Sequence, residues 1–343
     1  WRRNAPLTIA ATALPLPLVQ GFVPEGLRCV AGTAMTLLVE WEDQLQRLAL
    51  TLQDAELELG AWRLLRIDGG LDVAAVDPHD PAAGYSSRLD LPFGAVVHRG
   101  TAGAGELELT VARLDELVQR LRGPVPLPRL SGLLKIVGRV ERTAPAWRVA
   151  VRHLGFAGVQ SEGSLREVTA SGKGTFTWNG SRLDTSLSGQ LVSGELALPS
   201  GWMDFCVRQP LFTTSFSVDA NGLLLQELLI RAADRFAQPA TDGFTAGLSG
   251  RLDADFSGSI DTVVDRLDLG WFTRTISAVP LPSETIASGE SALTAAVSIE
   301  RGSVARIAGW VLPLGIELSL FGGAVDVSGI SGSVKFLLDR SKP

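Results

Sequence analysis

Apolar and polar residues alternate along most of this chain, and a period of two marks a strand with one buried face. Leu48, Leu50 and Leu52 share one parity, which changes at Asp54 before Ala55, Leu57 and Leu59 carry it on. A one-residue slip would turn the whole apolar set to the other face, so the change predicts a turn or a β-bulge. Leu107, Leu109 and Val111 alternate with Glu106, Glu108 and Thr110. Phe176 and Trp178 lead into Asn179-Gly180, followed by Leu183, Leu187 and Leu191; Phe212, Phe216 and Val218 lead into Asn221-Gly222. Asn-Gly between alternating runs predicts a hairpin. Near the end Ile316, Leu318 and Leu320 precede Gly322-Gly323, with Val325 and Val327 beyond. Helical spacing is confined to Val111, Leu114, Leu117, Val118 and Leu121, stopped by Gly123 and Pro124. Residues 223–233 fit helix or strand equally.

The longest alternation covers residues 244–260. Phe244, Leu248, Leu252, Phe256 and Ile260 take even positions with Ala246, Gly250, Ala254 and Gly258 between them. The odd positions carry no large apolar residue. As one strand, long or bulged, this run would span roughly 55 Å, and that is the expectation. A hairpin turning near Ser249-Gly250 or Ser257-Gly258 would keep the same parity. The large–small alternation recurs at Leu183, Thr185, Leu187, Gly189, Leu191 and Ser193. It predicts an inner face that curls tightly or leaves room for a guest.

A weak repeat places an apolar segment, a proline elbow and a strand-opening glycine in order. Its copies are Leu18-Val19, Pro24 and Gly32; Leu117-Val118, Pro124 to Pro128 and Gly132; Trp271-Phe272, Pro280-Leu281-Pro282 and Gly289. Approximate segments are 1–123, 124–279 and 280–343, within one repeat-built whole. The fold class that results is all-β: an elongated, curled sheet with an apolar inner face and one or two short helices.

Composition narrows the function. The chain has 343 residues, more than one compact core commonly fills. A net charge of -6 without a Lys/Arg block argues against nucleic acid. Hydrophobic residues reach 45%, yet Pro15 and Pro17 break the best candidate membrane span, residues 7–23. The chain lacks an initiator Met, so a piece of a longer protein is expected. A single Tyr, Tyr85, leaves no aromatic girdles for an outer-membrane barrel. Trp41, Trp62, Trp147 and Trp310 read as core. Cys29 and Cys206 fit free buried thiols or one long-range disulfide.

No chemistry stands out. His79, His98 and His153 lack zinc-ligand spacing, and His79 sits in an Asp-Pro-His-Asp-Pro turn. Ser171-Gly172-Lys173-Gly174-Thr175 lacks the first glycine of a phosphate loop and reads as a strand start. Asp253 and Asp255 share a solvated face. No enzyme, cofactor or metal site is expected.

The run Leu14-Pro15-Leu16-Pro17-Leu18-Val19, then Phe22-Val23-Pro24-Glu25-Gly26-Leu27, resembles the elbow segments of AsmA-like proteins. Val125-Pro126-Leu127-Pro128-Arg129-Leu130-Ser131-Gly132 and Leu269-Gly270-Trp271-Phe272 do likewise. The ending Leu318-Ser319-Leu320-Phe321-Gly322-Gly323 is similar to the terminal strands of the YdbH-like branch; the TamB-like branch is the other relative. The resemblance implies a long, taco-like β-groove lined with apolar side chains, bridging the two membranes of a Gram-negative envelope. It implies a periplasmic protein anchored in the inner membrane through a segment absent here. Its cargo would be phospholipid acyl chains, and a small outer-membrane lipoprotein would complete the bridge. Phe244, Leu248, Leu252, Phe256, Ile260, Phe212, Phe216, Phe176, Trp178, Leu183, Leu187 and Leu191 are the expected groove lining. The rival expectation is a structural, secretion-system or adhesin scaffold with a filled core. The terminal strand around Val334, Phe336 and Leu338 would offer an edge to a partner strand.

Overall fold

The structure, a computed structural model, describes residues 7–18, 27–42, 44–59, 62–77, 80–101, 103–123, 129–143, 146–161, 164–198, 201–204, 209–233, 243–270 and 285–339. It is nearly all β, as the alternation predicts, and its strands pair antiparallel in an open sheet that is not closed into a barrel. Two compact units divide the chain: residues 1–156 with 173–184, and residues 157–172 with 185–343.

The first unit opens with β1 (Leu7–Pro15), β2 (Leu27–Trp41), β3 (Leu45–Leu59) and β4 (Trp62–Ala75). β5 (Tyr85–Leu91), β6 (Gly94–Gly100) and β7 (Ala104–Val111) follow as tight hairpins. Then come α1 (Leu114–Arg120), β8 (Leu121–Arg122) and β9 (Leu130–Thr143). The predicted amphipathic stretch is therefore helical only at its centre. Val111 closes β7 and Leu121 opens β8, because both keep sheet pairing. β10 (Ala146–Ser161), β11 (Leu165–Trp178) and β12 (Leu183–Leu198) are each shared between the units.

The parity change at Asp54 is a bulge inside the continuous β3. Asp54 takes φ 48 and its N–H donates to Asp68 Oδ1 at 2.9 Å. The facing strand answers with Gly32 at φ 109. A Cβ there would come within 2.6 Å of Ala55 Cα, so only glycine fits. Gly132 and Gly289, the other strand-opening glycines, share the conformation at φ 121 and 101, early in β9 and in β18 (Ile286–Glu300). The proline elbows at 24, 124–128 and 280–282, with Val19, Trp271 and Phe272, lie outside the described residues, as do His79 and Cys206.

One apolar row of the first unit runs in register through Ala11, Leu37, Leu50, Leu71, Leu89, Val96, Leu109 and Ile136. Its β2–β3 part is packed shut: Leu37, Val39, Leu48, Leu50, Leu52, Leu57 and Ile67 form one buried cluster with Leu16 and Cys29. A second cluster joins Phe93 and Val111 to Leu114 of α1, with Leu64, Leu91, Leu109, Leu117, Val118, Leu130 and Leu134 against it. Trp41 does not join the core. It is 48% exposed at the end of β2, and Trp310 is 47% exposed, with Lys335 Nζ 5.4 Å from its ring centroid. Trp62 and Trp147 are half-buried.

The second unit continues with β13 (Gly201–Asp204), β14 (Leu211–Asp219), β15 (Gly222–Ala233), β16 (Gly243–Asp253) and β17 (Gly258–Asp268). β18 is followed by β19 (Ser303–Leu320), β20 (Val325–Ile330) and β21 (Val334–Asp339). The Asn179-Gly180, Asn221-Gly222 and Gly322-Gly323 turns fall between strands as predicted. Asn179 Oδ1 accepts from the N–H of Ser181 and Arg182, which closes its loop. Residues 223–233 are strand, and a register shift between Leu225 and Leu228 explains the ambiguous spacing. β20 and β21 lie end to end along one edge of β19, pairing with residues 316–320 and 306–311.

The single strand expected over 244–260 is a hairpin instead. β16 ends at Asp253 and β17 begins at Gly258, with Leu252 facing Gly258 and Gly250 facing Ile260. Asp255 Oδ1 accepts from the Ser257 N–H at 3.0 Å, and Asp253 N–H donates to the Ser257 carbonyl at 2.8 Å. Phe256 adopts φ 64 within this turn. The antiparallel return preserves parity, so alternation alone could not separate the two cases.

Gly32→Ala should lower stability by at least about 1–3 kcal/mol, read from the denaturant midpoint. Gly247→Ala, where a Cβ meets nothing closer than 3.9 Å, should change it by less than about 1 kcal/mol, in the stabilising direction.

Candidate functional site

Four rows of side chains lie side by side on one face of the second unit. Val218, Leu223, Leu252, Gly258, Ile299 and Val304 form the first. Phe216, Leu225, Gly250, Ile260, Val297, Ile307 and Leu338 form the next. Thr214, Leu228, Leu248, Thr262, Ala295, Gly309 and Phe336 make the third, and Phe212, Ile230, Ala246, Val264, Leu293, Val311 and Val334 the fourth. Directly paired residues of an antiparallel sheet point to the same side. The whole face is therefore uncharged, and Thr214 and Thr262 are its only polar members.

Most of these side chains are half-buried. Leu225, Leu228, Leu248, Ile260, Val264 and Leu293 are neither sealed nor free. On the opposite face Leu224, Val263 and Leu312 are openly exposed. Among the described residues the main element contacts of this unit run between neighbouring strands. Register shifts between β14 and β15, β16 and β17, and β17 and β18 curl the sheet.

The expected lining residues divide. Phe212, Phe216, Leu248, Leu252 and Ile260 stand in the rows, with Leu252 only 6% exposed at its end of β16. Phe244 lies in β16 paired with Ala232 and Leu267; its side chain is outside the described residues. Phe256 lies between the strands, in the β16–β17 turn, half-buried, and its carbonyl accepts from the Gly302 N–H at 3.0 Å. Phe176, Trp178 and Leu183 are half-buried in the first unit, and Leu187 and Leu191 are half-buried in the second. Leu228, Ile230, Leu293 and Val297 complete the face without having been singled out. The register shift in β15 hid the first two, whereas the alternation of Leu293, Ala295 and Val297 was readable.

Small residues leave less space than their size suggests. A Cβ on Gly189 would come within 2.8 Å of the Phe212 ring, and one on Gly309 within 2.8 Å of the Phe336 ring. At Gly250 the Ile260 Cδ1 atom stands 3.0 Å away. At these glycines the expected room for a guest is taken by the neighbouring strand's main chain together with these side chains.

Charge is kept to the opposite face and the loops. Arg251–Asp253, Arg266–Glu290, Arg47–Asp72 and Lys135–Glu108 pair there, all well exposed. A shallow depression lined by Arg88, Asp90, Glu108 and Thr110 lies among such pairs, with its carboxylates satisfied by Arg88 and Lys135. Among the described residues no group of three or more His, Cys, Asp or Glu could hold a metal ion. Nor is any described helix long and apolar enough to cross a membrane.

His98 stands on the first unit's apolar face. His98 is in register with Ser87 and Leu107, and Gly105 vacates the space its Nε2 fills. Burial lowers its pKa below the ordinary imidazole value. Compared with known protein families, curated proteins and solved structures, the chain matches none.

The folded state holds His98 neutral, so the unfolded chain takes up this proton first as pH falls. Stability should drop progressively below about pH 6.5. His98→Gln should remove that part of the acid sensitivity, measured as the difference in urea midpoint between neutral and mildly acidic buffer.

Proposed function

We propose that the chain is a non-enzymatic, lipid-conducting β-groove, and that the four-row face of the second unit is a seat for phospholipid acyl chains. The observation that carries this reading is an uncharged face, up to seven strands wide, most of whose large side chains are half-buried among the described residues. Such a face loses free energy to water until something apolar covers it. An acyl chain gains about 0.8 kcal/mol per buried methylene, and rows of equivalent side chains let it shift by one row with little change in contact. Loose selectivity follows, because no lining residue offers a charge to read a headgroup. Together with the AsmA-like elbows and ending, this supports a place in the periplasm of a Gram-negative bacterium. There the protein would move phospholipid between inner and outer membranes. A small outer-membrane lipoprotein, or another strand, would pair at the β20–β21 edge, where Val325, Val334 and Leu337 are exposed.

A scaffold with a filled core is the second reading. The closed leucine cluster of β2 and β3 favours it, as do the Phe212 and Phe336 rings over glycine.

Photoreactive side chains at Leu248 and Ser249, adjacent in β16 but on opposite faces, separate the two. The groove predicts lipid adducts at Leu248 and few at Ser249. Equal labelling at both, or protein purified from membranes without bound lipid by mass spectrometry, would favour the scaffold.

A further inference from the structure

Asn-Gly occurs at 179–180 and again at 221–222, each time in the turn between two strands. The dipeptides are identical, but their surroundings are not. Asn179 and Gly180 are both exposed, whereas Asn221 is exposed and Gly222 is buried. Gly180 adopts φ 94, and a Cβ on it would meet nothing within 4 Å, so no neighbour shields its nitrogen. Its N–H takes no part in the hydrogen bonds that close the turn. Those run from the Asn179 N–H to the Arg182 carbonyl and from the Ser181 and Arg182 N–H groups to Asn179 Oδ1. Gly222 instead opens β15, pairs with Asp219 and Asp253, and leaves only 2.1 Å between a Cβ and the Leu252 carbonyl oxygen.

The side chains differ in the same sense. Asn179 Oδ1 accepts from the Ser181 N–H at 3.1 Å, the Ser181 hydroxyl at 3.3 Å and the Arg182 N–H at 2.8 Å. Donors gathered on a carbonyl oxygen stabilise the negative charge that develops there when a nucleophile adds to the carbon. At the other turn the Asn221 N–H donates to Asp219 Oδ1 at 2.7 Å, which holds a carboxylate close by and opposes such charge.

We propose that Asn179 is a self-modification site, which converts to aspartate and isoaspartate without an enzyme, while Asn221 is spared. The Gly180 main-chain nitrogen gives its proton to hydroxide and adds to Asn179 Cγ, which places negative charge on Oδ1 under its three donors. The bond from Cγ to the side-chain nitrogen then breaks, and ammonia leaves with a proton taken from water. A cyclic succinimide remains, and water opens it. Cleavage of the ring nitrogen from Cγ yields aspartate. Cleavage from the main-chain carbonyl carbon yields isoaspartate, with the main chain rerouted through the side chain. Nothing is oxidised or reduced, and the conversion does not depend on any lipid cargo. Both products put a negative charge at the tip of the β11–β12 hairpin, and isoaspartate also lengthens the turn by one main-chain carbon. At 221 ring closure has to pull Gly222 out of its pairing with β14 and β16.

The test incubates the full chain at neutral pH in buffer and, in parallel, in concentrated urea. Samples are digested with an acid protease, which halts conversion, and the peptides are separated and weighed by mass spectrometry. The ratio of conversion at 179 to conversion at 221 should be at least tenfold higher in buffer than in urea. A ratio equal in the two, or lower in buffer, overturns the site. So does a folded chain that stays unconverted at 179 while the unfolded chain converts. Ser181→Ala removes one donor to Oδ1 and should slow conversion at 179 severalfold in buffer, with circular dichroism melts establishing that the variant folds like the parent. An unchanged or faster rate overturns the part given to those donors.

Discussion

A β-sheet with one apolar face has to cover that face, and everything else here depends on how it does so with almost no helix. Sandwiches and α/β folds lay a second layer on the sheet. In this chain the strands bend instead. Bulges and glycines of positive φ, such as Gly32 against Asp54, concentrate curl in the long hairpins. In the first unit curl plus α1 gives closed packing around Leu50 and Leu114. In the second, most described side chains of the same kind of face are half-buried.

That difference in closure is what separates a core from a candidate binding face. Leucine and isoleucine line both units, and in both the charges are kept to the other side of the sheet. An apolar residue that packs against its own chain has its free energy of burial satisfied internally. One that stays half-wet retains part of it for a guest. Leu50 and Leu248 are the two cases within one protein.

Among the described residues the four rows of the second unit carry no charged side chain. His98 and Cys29 enter the first unit's apolar face, where burial lowers the imidazole pKa and raises that of the thiol. The ion pairs across the exposed face, such as Arg47–Asp72 and Arg251–Asp253, are wet and individually weak. They orient the sheet, by making one side the favourable one to solvate, more than they hold it together.

The sequence by itself determined the strands, their faces and most of their turns. Alternation is a local property, and one-sided burial imposes it on every strand regardless of partner. Leu48, Leu50 and Leu52, the Asn221-Gly222 turn and the parity break at Asp54 were legible for that reason. Five of the expected lining residues, from Phe212 to Ile260, fall in the rows of the second unit on the same ground. Tertiary structure decided what parity cannot encode. A hairpin and a straight strand share one alternation, so parity could not place the turn that holds Phe256. A bulge near Gln226 shifts phase and made β15 look helical. A glycine gap looks empty in sequence until the strand opposite brings a ring into it, as Phe212 does over Gly189. Above all, whether a greasy face closes on itself depends on curl summed over many strands. No single stretch of the sequence carries that sum.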